Sequence, residues 1–147
     1  MGKALNASEK QAERQSVRLA FYLCVIVIAH CLFFATDWYL THYSLDMAMH
    51  FAAGAWTAAF GAYFFFSFGR LRASYGVWEA LALIGFVALV GVLWEFHEYV
   101  FDLFITDPAR IMQTSVADTM SDLFFDLLGA TMAVTARYAH FPWNNHS

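Results

Sequence analysis

Carboxylates lie inside apolar stretches long enough to cross a bilayer, and no other feature constrains the chain as much. A membrane-spanning helix needs roughly 20 mostly apolar residues at about 1.5 Å rise each. Four stretches meet that measure, at about 19–40, 46–68, 77–104 and 115–138. Between Phe51 and Gly69 the second carries no charge at all. Yet Asp46, Glu95, Glu98, Asp118, Asp122 and Asp126 fall within the last three stretches. An Asp at the centre of a span costs about 2.5–3.5 kcal/mol even on a lenient insertion scale. Such groups are expected to face one another or a bound partner rather than lipid.

Composition excludes several other classes. The chain is 61% hydrophobic and 14% charged, where a soluble domain is about 25% charged. That much apolar surface on 147 residues argues against a soluble globular domain and against disorder. Eight Lys+Arg against twelve Asp+Glu give a net charge of −4, so nucleic-acid binding has no electrostatic basis. Two cysteines, Cys24 and Cys31, cannot build a disulfide framework. The sequence contains no nucleophile elbow, P-loop, dinucleotide glycine pattern, CxxC or HExxH.

The connections 41–45, 69–76 and 105–114 are short, and the last contains Asp107-Pro108, which opposes helix continuation. Short loops make successive spans antiparallel neighbours. The expected fold is all-α: an integral membrane four-helix bundle, up-down-up-down. Residues 1–18 are polar and read as an N-terminal tail or surface helix, 19–140 as the four-span domain and 141–147 as a C-terminal tail. Lys3, Lys10, Arg14, Arg18, Arg70, Arg72 and Arg137 fall on one side, leaving Arg110 opposite. The positive-inside rule then puts both termini in the cytoplasm, in a multi-pass protein of the bacterial inner membrane. Gly54, Ala58 and Ala62, with Gly61 beside them, form a small-residue seam suited to close helix packing.

With that orientation, Asp37, Asp46, Glu95, Glu98, Asp102, Asp107, Asp118, Asp122 and Asp126 all fall in the outer half, together with His30, His50 and His97. Helical periodicity groups them. Asp46 and His50 share a face; Glu95, Glu98 and Asp102 make one stripe; Asp118, Asp122 and Asp126 make another, descending roughly 12 Å. His30 and Asp37 are seven apart, again on one face, and read as a hydrogen-bonded pair. Several carboxylates in a small, poorly solvated volume cannot all stay ionised without positive charge between them. Lys and Arg do not supply it. A divalent cation or retained protons must.

The expected metal ligands are Asp46, His50, Glu95, Glu98, Asp118 and Asp122. Asp126, Asp102, His97, Asp37 and His30 are expected behind them, as supporting groups or a proton relay. Carboxylate with imidazole suits Zn, Mn or Fe. Copper(I), which Met47 and Met49 beside His50 would suggest, ranks behind these. Glu95-x-x-Glu98 has an acid where bundle di-metal proteins carry Glu-x-x-His. The competing readings are an interhelical hydrogen-bonded cluster with some acids protonated, and a proton or cation path.

Three segments, DMAMHF from Asp46, WEFHEY from Trp94 and DTMSDLFFDLLGA from Asp118, resemble the YjdF-type family of small bacterial inner-membrane proteins and, more distantly, the VanZ-like proteins associated with glycopeptide resistance. The matching positions are Asp46, His50 and Phe51; Glu95 and Glu98; and Asp118, Thr119, Asp122, Gly129 and Ala130. Asp126 stands where such proteins usually carry an apolar residue, and His97 is an addition. The resemblance implies a shared site without naming an activity. The function expected is therefore a membrane protein with a His/carboxylate metal site, extending to metal-dependent chemistry on a lipid-linked substrate. A proton- or cation-translocating bundle and a non-catalytic subunit of a larger membrane complex are the alternatives. The bilayer is the one definite partner; a homo-oligomer stays open.

Overall fold

A computed structural model describes residues 7–68, 76–104 and 112–140. Every regular element among them is helical: α1 (Ala7–Ala35), the short α2 (Trp38–Thr41), α3 (Tyr43–Ala62), α4 (Val77–Asp102) and α5 (Val116–His140). α3 continues as a π-helix over Tyr63–Phe68. The sequence expectations on Lys3, Arg70, Arg72, Asp107, Pro108, Arg110 and residues 141–147 lie outside the described residues.

Two helices are long and apolar enough to cross a membrane, Glu9–Ala35 within α1 and Val77–Asp102, which is α4. α3 and α5 fall short of that measure, and they carry Asp46 and His50, and Asp118, Asp122 and Asp126. The polar groups of the cluster are what dilute them. Large apolar side chains cover the outside of α1 and α4, among them Phe21, Ile28, Leu89 and Phe96, each more than half exposed. A contiguous apolar exterior of this kind marks contact with lipid or another protein.

The first span differs from the expected 19–40. Helix α1 already runs from Ala7, and it stops at Ala35 because Asp37 adopts a left-handed backbone conformation, φ 55°. Asp tolerates this where most residues do not. Beyond the turn the chain restarts in α2, so Asp37 never shares a face with His30. The expected His30–Asp37 pair is not made: His30 Nδ1 lies 2.9 Å from the Tyr39 hydroxyl instead.

α3 is the hub, packed mainly on α5, with α4 lying across both and α1 against α3. The α3–α5 contact is set by two glycines. A Cβ on Gly54 would lie 2.2 Å from the Asp126 carbonyl oxygen, and one on Gly129 2.1 Å from that of Phe51. Only hydrogen fits at either point, so the backbones touch directly. Below this seam sits a core of Ala58, Ala62, Leu83, Val87, Ala130 and Val134. His50 meets Asp122 near the start of both helices, and Ala58 and Ala62 share the core with Ala130 and Val134 further along each, so α3 and α5 are parallel. α4 is antiparallel to α5, because Glu79 near its start pairs with Arg137 near the end of α5, Oε1 to Nε 3.1 Å. Tyr138 donates to the Gly76 carbonyl at the same end, 3.0 Å.

Candidate functional site

The site is built from the cluster end of the three packed helices. Parallel α3 and α5 bring Asp46 and His50 alongside Asp118, Asp122 and Asp126, while antiparallel α4 delivers its last two turns, with Glu95 and Glu98. His50, Glu95, Glu98, Asp118, Asp122 and Asp126 are all buried.

His50 is the centre. Its Nε2 faces Asp46 Oδ1 at 3.9 Å and Asp122 Oδ1 at 4.0 Å, and its Nδ1 faces Asp126 Oδ2 at 3.4 Å. The first two distances are too long for hydrogen bonds. Two groups of potential ligand atoms fall within 4.8 Å of one another, Asp46–His50–Asp122 and His50–Glu95–Glu98, and His50 belongs to both. Asp126 sits on the other ring nitrogen, wedged against α4 where a Cβ on Gly91 would come 2.6 Å from its Oδ2. A carboxylate on one imidazole nitrogen fixes the tautomer and turns the other nitrogen's lone pair outward.

The remaining acids are held by neighbours. Trp94 Nε1 donates to Glu98 Oε1 at 2.7 Å. Gln113 Nε2 donates to Glu95 Oε2 at 3.3 Å and to Thr119 Oγ1 at 2.8 Å, bridging α4 and the start of α5. Asp118 Oδ2 accepts from the Thr114 amide at 3.0 Å and its hydroxyl at 2.7 Å. Ser115 in turn accepts from the Asp118 amide at 3.2 Å, capping α5. After this bonding three buried oxygens have no hydrogen-bond partner among the described residues: Glu95 Oε1, Asp118 Oδ1 and Asp122 Oδ1. An unsatisfied buried acceptor costs about 1–3 kcal/mol, more when charged.

The expected supporting residues divide. Asp126 acts directly on His50. Asp102 instead ties down the segment before α5, accepting from the Met112 and Gln113 amides at 2.9 and 2.8 Å. It thereby positions Gln113. His97 is exposed, its ring against Trp94 and Phe101. Asp37 is exposed in the turn. His30 is half-buried, bonded to Tyr39. Trp94, Gln113 and Thr114 were not legible as site residues. Trp94 lies one helical turn before Glu98, a spacing that could have marked it; Gln113 and Thr114 reach the acids through a turn that no periodicity encodes.

Residues 13–142, which include every residue of this cluster, match the family described as "Predicted membrane protein (DUF2238)". No curated protein and no solved structure matches the chain. The narrower likenesses to YjdF-type and VanZ-like proteins have no finding behind them. On the extent of the match, the chain belongs to the DUF2238 family of membrane proteins.

Proposed function

We propose that this chain is a four-span protein of the bacterial inner membrane, both termini cytoplasmic, that holds a divalent metal ion among Asp46, His50, Glu95, Glu98, Asp118 and Asp122. One observation carries the reading: Glu95 Oε1, Asp118 Oδ1 and Asp122 Oδ1 are buried without partners, and Glu95 and Asp122 each group with the same histidine. Buried acceptors in such number call for a cation or protons.

The donor set fits the cation. Two ligands each about 2.1 Å from one ion stand at most about 4.2 Å apart. The 3.9 and 4.0 Å separations around His50 Nε2 fall under that ceiling. Imidazole with carboxylates suits Zn, Mn or Fe. Cys24 and Cys31 are exposed and join neither group, which leaves copper without a thiolate. A bound ion of this kind supplies Lewis acidity and acidifies a coordinated water. In an enzyme, that chemistry would serve hydrolysis or transfer on a lipid-linked substrate. Asp126 keeps His50 in its ligating tautomer, and Gln113 and Trp94 hold Glu95 and Glu98 in place.

Translocation is less well supported. Away from the cluster the buried side chains among the described residues are the apolar Ala58, Ala62, Leu83, Val87, Ala130 and Val134, with Thr57 and, paired to Arg137 at the far end, Glu79 as the buried polar groups, a sparse route for a proton. The test is metal content by mass spectrometry on protein purified in detergent, with His50→Ala and Asp122→Asn beside it. Near-stoichiometric metal lost from both variants is expected. Folded protein without metal would overturn the reading in favour of protonated acids.

A further inference from the structure

Beside the cluster a crevice of about 290 Å³ opens between α1, α3 and α4. Its walls are apolar: Leu23, Ile26 and Val27 from α1, Ala53 from α3, and Val87 and Val90 from α4. Its polar end is formed by Asp46, His50, Glu98 and Asp126, with His30 at the α1 side, and among the described residues no Lys or Arg lines it. Leu23 and Val27 are themselves exposed, so the crevice opens sideways onto the apolar exterior of α1. The stretch lined by apolar side chains suits hydrocarbon rather than water. The volume holds on the order of ten water-sized groups, a length of one chain and no more.

We propose that this crevice is a lipid site that takes one acyl chain of an amine-headed phospholipid, its ammonium directed at Asp46, Glu98 and Asp126. Charge complementarity selects the head. Asp46 and Glu98 are shared with the proposed metal site, but one divalent ion among its five carboxylates, with Asp126 beside them, still leaves this end net acidic. The inference therefore stands on the lining and not on the metal reading. The chain itself brings little selectivity, because bilayer hydrocarbon is as apolar as the crevice.

Two residues of α1 make the test sharp. Val27 lines the crevice and is 49% exposed; Val25 is 48% exposed and does not line it. Neither belongs to the buried core. Native mass spectrometry is run on detergent-purified protein titrated with phosphatidylethanolamine or phosphatidylglycerol. One phosphatidylethanolamine per chain is expected to be retained about tenfold more tightly than phosphatidylglycerol. Val27→Trp loses it, and Val25→Trp retains it. Equal retention of the two lipids, or Val27→Trp behaving like Val25→Trp, overturns the proposal. Metal content measured on the same samples separates this outcome from failure of the metal site.

Discussion

Two buried carboxylate sites lie at opposite ends of the same helix pair, and they are resolved differently. At the start of α4, Glu79 is buried, its side chain 2% exposed, and it meets the Arg137 guanidinium at 3.1 Å. Phe66 lies under that guanidinium, 5.9 Å from ring centroid to Cζ. At the other end of α4, Glu95 and Glu98 meet Asp46, Asp118, Asp122 and Asp126, and among the described residues the one basic side chain with them is His50. One end carries its own cation; the other collects acceptors in excess of donors. A membrane helix pays heavily for buried acids, so the excess is informative in a way that the paired end is not.

Breaking the framework common to both ends is expected to have the largest effect. Gly54→Leu drives a side chain into the Asp126 backbone and separates α3 from α5, costing about 3 kcal/mol or more. Thermal unfolding in detergent should show a large drop together with loss of metal. A folded Gly54→Leu protein with its metal intact would mean that the seam is not what positions the cluster.

Next comes the pair itself. Arg137→Ala leaves Glu79 buried without its guanidinium, and breaking such a pair costs about 3–5 kcal/mol. The drop should be the same with and without added metal. Asp122→Asn is expected to do the opposite. It removes one of several mutually repelling carboxylates, so metal-free protein melts no lower than the parent, while the increment from added metal disappears. Equal losses in both variants would erase the contrast between the two ends.

Chelation sharpens the comparison further. A ligand held at a hundred times its Kd stabilises by about 2.7 kcal/mol, and a chelator should remove that amount from the parent. Carboxylates and imidazole must be deprotonated to bind metal. The stabilisation is therefore present at the higher pH and is lost as pH falls, where protons take the ion's place. Unfolding curves at several pH values, with and without chelator, check it. The smallest effect belongs to Asp126→Asn, which weakens the hold on His50 Nδ1. Loss of such a supporting carboxylate costs about 10–100-fold in metal affinity with the fold retained, read by metal titration.

Much of the cluster was legible because helical periodicity is a local property. Asp46 and His50 fall one turn apart on any helix, as do Asp118 and Asp122, and a carboxylate in an apolar run must turn inward wherever that run is placed. The seam of Gly54, Ala58 and Ala62 was legible for the same reason. The failure at Asp37 has an equally local cause. Seven-residue spacing from His30 means a common face only while the helix lasts, and one left-handed residue ended it.

What the sequence by itself determined is therefore the class of the molecule and the membership of its acidic stripes: an apolar helical chain whose carboxylates gather rather than face lipid. Only the tertiary structure decided which stripe meets which. Close approach at Gly54 and Gly129 sets α3 and α5 in register, and that register places Asp126 on one nitrogen of His50 and Asp46 and Asp122 near the other. It also decided that Gln113 bridges to Glu95 and that a crevice runs from the acids to the outer face of α1. Contacts between helices depend on the volumes of side chains distant in sequence, and no period along a single helix contains that information.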